Sequence, residues 1–406
     1  MCDASVRAGQ PPARMNRPAL ELADIVRVHG EAYQQCHQVT PTERAVLQAI
    51  VRCRTAALGG HVDVCTACGN EQPSYNSCRN RHCPKCQALA QAKWVAGRLE
   101  RILPTHYFHV VFTLPAELRN LARHGSTVLD LLFRTAADTL LELGRDPERL
   151  GAELGVTMVL HTWARDLRRH YHVHCIVTGG GLAQDDEHWI SSRAQYLFPV
   201  QVMRELFRGK MLDALRHAHE RGQLGTTDPQ CFARLLSELY RKNWVVYCKR
   251  PFGGPEQVIR YLGQYTHRIG ISNHRLVSMN DGAVTFRTKN GKTVTLDANE
   301  FLGRFLSHVL PDGFVKIRHY GLMAPSNVTT RLQVARDAIT QQRLDEVSAQ
   351  ASPRPIPIAL FADWREALRA LTGVDLAVCP VCGAYAVQRY PLGKLDTGAR
   401  APPLAA

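Results

Sequence analysis

Hydrophobic positions recur with two different periods along this chain, and the periods separate predicted strands from predicted helices. Alternation at every second residue, with many β-branched and aromatic side chains, is typical of strands, whereas apolar spacings of three and four predict helices. The strand pattern covers residues 107–114, 155–163, 170–178 and 244–248, with a further hairpin over 284–295. The helical pattern covers residues 19–58, 88–102, 126–143, 203–221, 231–242, 255–268 and 299–309.

The order of these elements predicts an α+β fold. The second and third strands are joined by a short polar link, residues 164–169, which favours a hairpin. The dipeptide Asn290-Gly291 gives a second hairpin turn signal. An antiparallel sheet with helices packed on it fits this order better than a regular strand–helix alternation would.

Changes in composition divide the chain into four predicted segments. Residues 1–18 are polar and rich in proline and arginine, and we expect them to be disordered. Residues 19–102 form a helical region interrupted by a cysteine-rich module at 61–87, and residues 103–326 carry the strand patterns. Residues 327–406 combine a polar helical stretch, a proline-rich linker and a cysteine-containing tail.

The chain carries a net charge of +14, and 41 of its 50 basic residues are arginine. A GC-rich genome would explain arginine replacing lysine but not the surplus of positive charge. Arginine pairs with phosphate through its planar fork, so this balance favours a polyanionic partner. The sequence has no apolar run near 18 residues and no signal-peptide core, which predicts a protein that neither spans a membrane nor is exported.

Cysteines cluster in the manner of a metal site. Of 13 cysteines, five fall between Cys65 and Cys86, which indicates metal binding in a reducing cytoplasm rather than a disulfide framework. The pairs Cys65-x2-Cys68 and Cys83-x2-Cys86 predict one tetrahedral structural zinc site. Buried structural cysteines are the alternative. Three further candidate ligands lie in the module: His61, Cys78 and His82.

Two other features of the cysteine pattern are less specific. Arg79, Arg81 and Lys85 lie inside the module, so contact with DNA phosphates is plausible. Cys379-x2-Cys382 has no second pair near it in the sequence, and either zinc binding with a distant partner or no role fits this motif.

Alternating histidines mark one predicted strand. His170, His172 and His174 share a face if the strand is regular, and adjacent imidazoles suit a metal ion. A histidine-rich exposed strand is the alternative. Two imidazoles do not complete a site, so a further ligand is required, for which His170, His161 and Gln264 are the candidates. We expect magnesium or manganese in function, although imidazole does not select these ions.

Tyr261 and Tyr265 lie four residues apart on a predicted helix and therefore share a face. Two tyrosines packed in a core would show the same spacing. The flanking Arg260 and Arg268 make the helix basic, which favours a surface that meets DNA. Phenols beside a bound divalent ion form an arrangement able to cleave a phosphodiester through a tyrosine–phosphate adduct.

These motifs together resemble the HUH (His-hydrophobic-His) endonucleases, and in particular the two-tyrosine rolling-circle transposases of bacterial insertion sequences. The resemblance runs from about Glu21 to about Ala324. The segments that carry it, besides the tyrosines, are Ser77–Gln87, Leu160–Trp163, His172–Val177, Gly179–Gly181 and Arg318–Gly321.

The resemblance implies a central antiparallel sheet with the histidines on a middle strand and the tyrosine helix nearby. It also implies that His172 and His174 bind the catalytic metal and that Tyr261 and Tyr265 are the nucleophiles. Arg318 becomes a candidate phosphate clamp. The zinc region would recognise the ends of the transposon. The glycine run after the histidines would allow close approach by DNA, or would be a simple turn.

The function that follows is a bacterial, cytoplasmic, nucleoid-associated DNA transposase. It would nick single-stranded DNA at transposon ends through a 5′-phosphotyrosine, and would join the strand to target DNA. No phosphate-binding GxxxxGK[ST] loop is present, which agrees with a reaction that needs no ATP. A replication initiator, a relaxase or a non-catalytic zinc-dependent DNA-binding protein remain alternatives. The oligomeric state stays open.

Overall fold

The computed structural model describes most of the chain, namely residues 18–87, 91, 94–95, 97–98, 101–123, 125–225, 228–249, 270–347, 369 and 375–394. The chain forms two compact units, and each is assembled from separate segments. Unit 1 consists of Met1–Ala92, Ile271–Leu302 and Ala359–Ala406. Unit 2 consists of Lys93–Gly270 and Gly303–Ile358. The four consecutive segments expected from the sequence differ from this division, because strand pairing joins residues that are distant along the chain.

The described residues contain seven α-helices and twelve strands. The helices are α1 (Leu22–Cys36), α2 (Pro41–Arg52), α3 (Thr127–Arg145), α4 (Val200–Glu220), α5 (Pro229–Arg241), α6 (Ala298–Leu306) and α7 (Arg331–Val347). The strands are β1 (Gly60–Cys65), β2 (Glu71–Tyr75), β3 (Tyr107–Thr113), β4 (Ala152–Trp163), β5 (Arg169–Ala183), β6 (Trp189–Ser191), β7 (Val245–Lys249), β8 (Leu276–Asn280), β9 (Ala283–Arg287), β10 (Thr293–Asp297), β11 (Ile317–Gly321) and β12 (Val387–Leu392). Within these residues, no helix is both long enough and apolar enough to cross a bilayer.

Unit 2 is built on an antiparallel sheet with the strand order β11-β4-β5-β3-β7, and β6 pairs with the far end of β5. One face of this sheet packs against α3, α4 and α5 in a large apolar core. Phe112 on β3 and Val173 on β5 point into this core and are fully buried. The alternate residues point to the opposite face, which carries the histidines. The predicted α+β class with an antiparallel sheet is therefore confirmed.

Part of the opposite face is covered by a second apolar cluster. It joins Val159 and Ile176 of the sheet to Leu332 and Ile339 of α7. The residues nearer the β4–β5 turn are histidines rather than apolar side chains. The apolar cluster thus covers one end of this face, and the other end carries polar side chains.

Unit 1 combines short helices with two three-stranded sheets. Thr40 begins α2 with a reciprocal capping box to Glu43, and Pro41 occupies the first turn, as the sequence indicates. One sheet has the order β10-β9-β8 and turns at Asn290-Gly291, both with positive φ. The other sheet has the order β12-β1-β2 and so pairs the end of the chain with the cysteine-rich module.

Strand prediction was accurate for most of the unit 2 sheet and for the β9–β10 hairpin, and it missed several short strands, among them β6 and β8. The patterns at β3, β4, β5 and β7 are confirmed within a few residues. The strands β1, β2 and β12 were missed because they are short and half-exposed, so alternation is weak. The strand β11 was also missed, although its sequence had been singled out as a motif. The predicted helix 255–268 lies outside the described residues.

Candidate active site

Strand register brings three histidines together on one face of the unit 2 sheet. His161 on β4 is the direct partner of His172 on β5, and His174 follows two residues later on the same face. One ring nitrogen from each lies within 4.8 Å of the others. This trio, the histidine cluster, contains both histidines of the predicted metal pair. It also contains His161, one of the three candidates for the further ligand.

Hydrogen bonds fix which nitrogen of His172 faces the cluster. Its Nδ1 lies 2.9 Å from the carbonyl oxygen of His170, and a carbonyl can only accept. Nδ1 therefore carries the proton, which leaves the lone pair on Nε2 for a metal ion. Burial lowers the pKa of His172 to about 4, so the imidazole is neutral near pH 7, the form that binds metals. His170 thus contributes its carbonyl, and its ring is not part of the cluster.

A fourth histidine supports the cluster from the neighbouring strand. His109 on β3 lies with its Nε2 2.8 Å from Nδ1 of His174, and the two rings stack at 5.0 Å. Burial, with a smaller contribution from Lys249, lowers the pKa of His109 to about 4. The Nε2 atom of a neutral His109 can accept a hydrogen bond from the Nδ1–H of His174, which leaves Nε2 of His174 available to a metal ion. Sequence reasoning missed His109, although the alternation in 107–114 places it on this face.

Trp163 packs on His161, and His308 lies on Trp163 with the ring centres 6.0 Å apart. The indole of Trp163 stacks on the His161 ring at 4.9 Å with an interplanar angle of 18°. His308 is held by Thr162 Oγ1 at 3.2 Å and by the carbonyl of Leu167 at 2.9 Å. Trp163 therefore restricts the orientation of a cluster residue.

Edge strand β7 extends the same face away from the cluster. Its Tyr247 is paired with Val111 of β3, which is in turn paired with His174. Tyr247 is 49% exposed and Val245 is 60% exposed. The Lys249 ammonium lies 5.8 Å from the Tyr247 ring centre. Two strand spacings of about 4.8 Å separate this aromatic position from the histidine cluster.

The cysteines form two clusters rather than the single predicted one. The first contains Cys53, Cys78, Cys83 and Cys86, and the second contains Cys65, Cys68, Cys379 and Cys382. The predicted grouping of Cys65 and Cys68 with Cys83 and Cys86 is therefore corrected. Spacing along the chain could not reveal it, because the β1–β2 hairpin directs its cysteine pair toward β12.

The first cysteine cluster fits tetrahedral zinc. Zinc–sulfur bonds of about 2.3 Å place tetrahedral ligands about 3.8 Å apart. The sulfurs of Cys78 and Cys86 are 3.6 Å apart. The backbone N–H of Cys78 points at the sulfur of Cys53 at 3.4 Å, a contact that favours thiolate. Of the spare candidates, Cys78 joins this cluster, whereas His82 and His61 belong to neither.

Two residues predicted to contact DNA have protein partners in the structure. The guanidinium of Arg318 forms an ion pair with Asp130 and lies 4.4 Å from the ring centre of Phe133. Its role as a phosphate clamp stays a prediction. Lys85 is paired with Glu21 at 3.1 Å. Arg79 is exposed with positive φ, and Arg81 is half-buried.

The glycine run after the histidines has a packing role. It lies within β5, between β4 and β6. A Cβ on Gly179 would come within 2.3 Å of the His106 ring, and one on Gly181 within 2.5 Å of the Glu153 carbonyl. Neither close approach by DNA nor a simple turn is needed to explain these glycines.

Five predicted site residues cannot be placed. The two tyrosines and two neighbours lie outside the described residues: Tyr261, Tyr265, Arg260 and Arg268. Gln264, the other candidate metal ligand, lies there as well. Their roles stay predictions from the sequence.

Two families match consecutive parts of the chain. Residues 25–114 match the family described as the transposase zinc-binding domain, of the IS91 type. Residues 155–331 match the family described as putative transposase, Y2_Tnp. The first match includes all of the first cysteine cluster and stops far before Cys379. The second includes the histidine cluster and both tyrosines.

Whole-chain relatives carry the same description. The chain is 43% identical over 383 residues to the putative transposase y4qJ of Sinorhizobium fredii, covering 91% of this chain and 94% of that protein. It is 27% identical over 352 residues to the transposase for insertion sequence element IS801 of Pseudomonas savastanoi, covering 83% and 81%.

Among solved structures, the conjugative relaxase TrwC in complex with oriT DNA aligns with 39% of this chain and 68% of its own. The TM-score is 0.21 and the identity is 11%, a similarity too small to support an argument.

Proposed function

Because this chain belongs to the insertion-sequence transposase family of y4qJ and the IS801 enzyme, we propose that it nicks single-stranded DNA through a tyrosine and transfers the strand in rolling-circle-type transposition. Family membership makes it a DNA transposase with a zinc-binding domain. The covalent mechanism, the single-stranded substrate and the metal-dependent step are the proposal. It would act at transposon ends and on target DNA in the bacterial nucleoid.

The observation that supports the proposal most is the histidine cluster. Three imidazoles converge on one face of the sheet, which suits a divalent ion and leaves positions for oxygen ligands from DNA. A bound magnesium or manganese ion would offset charge on the scissile phosphate. His161, His172 and His174 would hold that ion, and His109 and the carbonyl of His170 would orient two of the rings.

Tyr261 and Tyr265 supply the nucleophiles in this proposal. The phenolate oxygen of one attacks the phosphorus atom, a 5′-phosphotyrosine forms, and the bond to the 3′ oxygen breaks; that oxygen takes up a proton from water to leave a free 3′-OH. The phenol proton passes to solvent or to a neighbouring base. The adduct keeps the phosphodiester energy, so strand transfer needs no ATP. The second tyrosine would act on a second strand.

The exposed edge of the histidine face suits a single strand. Tyr247 offers an aromatic surface for a base, and Lys249 offers a cation for the backbone. Tyr247 and Lys249 lie two strands away from the cluster, a distance of about 10 Å. A phosphate bound at the cluster would therefore be one or two nucleotides away from them. A duplex holds its bases inside the stack and could not use this surface in the same way.

A nicking assay tests the proposed mechanism. Labelled single-stranded DNA from the element's own ends is incubated with magnesium or manganese, and adducts are resolved on a denaturing gel. We expect a covalent adduct with wild type that is lost in Tyr261→Phe/Tyr265→Phe and in His172→Ala. The single Tyr261→Phe and Tyr265→Phe variants would order the two nucleophiles.

The control variant is Tyr240→Phe, an exposed tyrosine on α5 behind the opposite face of the sheet. It should form the adduct normally. Binding of the end sequence without an adduct under any metal would contradict the proposal and favour a zinc-dependent DNA-binding protein.

A further inference from the structure

The second cysteine cluster joins residues from the two ends of the chain. Cys65 ends β1 and Cys68 follows it, whereas Cys379 and Cys382 precede β12, more than 300 residues later. The matched zinc-binding family ends at residue 114, so it includes one half of this cluster only. We propose that Cys65, Cys68, Cys379 and Cys382 bind a second structural zinc ion, which fastens the C-terminal tail to the N-terminal zinc module.

The sulfur geometry fits a metal ion. The Cys65 and Cys382 sulfurs are 3.6 Å apart, and the Cys68 and Cys379 sulfurs are 3.7 Å apart. A tetrahedral zinc site with bonds of about 2.3 Å requires about 3.8 Å. A disulfide would need about 2.05 Å. All four sulfurs lie within 4.8 Å of one another, so each approaches the other three rather than one partner.

The two halves of the cluster have the same backbone geometry. Each has the sequence Cys-x2-Cys-Gly, and both glycines, Gly69 and Gly383, have a φ of 73°. The Gly69 N–H donates to the Cys65 carbonyl at 2.8 Å, and the Gly383 N–H donates to the Cys379 carbonyl at 3.0 Å.

A second hydrogen bond also repeats between the halves. The N–H groups of Cys65 and Cys379 donate to the carbonyls of Asn70 and Ala384, both at 2.9 Å. Two turns of one kind, each presenting a pair of thiols to the other, form the usual frame of a four-cysteine zinc site. Chance proximity of cysteines would not reproduce this backbone pattern in both halves.

Strand pairing holds the tail beside the module. β12 pairs with β1 in an antiparallel register that runs from Gly60 opposite Leu392 to Cys65 opposite Val387. Arg389 binds Asp63 through two hydrogen bonds of 2.6 and 2.9 Å. The ladder and the ion pair align the tail, but both are half-exposed and modest in strength. A metal that needs all four thiolates would make docking of the tail depend on zinc.

Zinc content per chain tests the inference without an activity assay. Zinc released by a mercurial thiol reagent reports thiolate-bound metal and does not count ions held by the histidine cluster. We expect two zinc ions from wild type and one from Cys379→Ser/Cys382→Ser or from Cys65→Ser/Cys68→Ser. The matched control, Cys36→Ser/Cys231→Ser, changes two exposed cysteines outside the clusters and should keep two.

Hydrogen exchange supplies a second measurement. Amides of β12 should exchange at least tenfold faster in Cys379→Ser/Cys382→Ser than in wild type, and the control variant should match wild type. If the serine variants fail to fold, Cys382→His keeps a ligand and should retain two zinc ions. One zinc ion in wild type, two in either serine pair, or a disulfide among these four cysteines after purification under reducing conditions would overturn the inference.

Discussion

At the scale of single residues, protonation states decide how the histidine cluster can bind metal. His172 is fixed by the His170 carbonyl, because a carbonyl can only accept a hydrogen bond. His174 depends instead on another imidazole, His109. Burial lowers the pKa of His109 to about 4, so it is neutral and able to accept. His109 is therefore a positioning residue for His174.

Replacing His109 should weaken metal binding without removing a ligand. We expect His109→Leu to lower the affinity of the cluster for Mn²⁺ by about 10- to 100-fold, the usual effect of losing an outer hydrogen-bond partner. His109→Gln keeps an acceptor oxygen near the position of Nε2 and should restore most of the affinity. Calorimetric titration of the full chain with Mn²⁺ measures both.

His188→Gln is the control for these substitutions. His188 is exposed and is paired with Asp185, outside the cluster. The affinity of His188→Gln for Mn²⁺ should equal that of wild type. If His109→Leu and His109→Gln lower the affinity for Mn²⁺ by the same factor, the hydrogen bond is not the cause and His109 acts through packing alone.

At the scale of elements, the edge strand β7 determines which ligands can bind next to the histidine cluster. Its inward residue Val246 is buried in the core, whereas Val245, Tyr247 and Lys249 alternate on the histidine face. The Tyr247 ring is half exposed on this edge strand and can therefore meet a ligand. Next to a candidate phosphate site, a nucleic-acid base is the partner whose chemistry fits.

Substitution of Tyr247 should weaken binding of single-stranded DNA. Loss of one stacking platform costs about 1 to 3 kcal/mol, so Tyr247→Ala should raise the Kd for a single-stranded end oligonucleotide several-fold or more. Tyr247→Phe keeps the ring and should bind nearly as wild type does. Fluorescence anisotropy at fixed salt measures the difference.

Tyr240→Ala is the control for Tyr247→Ala. Tyr240 is 65% exposed on α5, which packs behind the opposite face. The Kd of Tyr240→Ala for the same oligonucleotide should equal that of wild type. A similar loss in Tyr240→Ala and Tyr247→Ala, or none in either, would remove β7 from the DNA-binding surface.

At the scale of the whole molecule, metal sites and the apolar core stabilise different units. Unit 2 has a large core that needs no metal, with Phe108, Phe133 and Phe207 fully buried. Unit 1 places both cysteine clusters beside short strands, β1, β2 and β12, of which few residues are buried. Short, half-exposed strands beside a structural metal site draw part of their folding free energy from metal binding.

Removal of zinc should therefore affect unit 1 selectively. With a strong chelator under reducing conditions, we expect amides of β1, β2 and β12 to exchange at least about tenfold faster, because structural zinc contributes folding free energy directly. Amides of β3, β4 and β5 should keep their protection. Mass-spectrometric hydrogen exchange measures both units in one experiment, and equal loss in the two units would contradict the expectation.

Local sequence determined the parts of this protein that depend on periodicity and spacing. Alternation placed His172 and His174 on one face of a buried strand, and the turn at Asn290-Gly291 was readable from two residues. The motifs in their order also identified the family that the comparisons show. Each of these signals lies within a few residues along the chain.

Tertiary structure decided which distant residues meet. The sequence left His161, His170 and Gln264 open as further ligands, and the pairing of β4 with β5 put His161 in the cluster. Pairing of β12 with β1 divided the cysteines between two sites. The fold also placed the Arg318 guanidinium against the Phe133 ring. Strand register and burial arise from the whole fold, so no local pattern contains them.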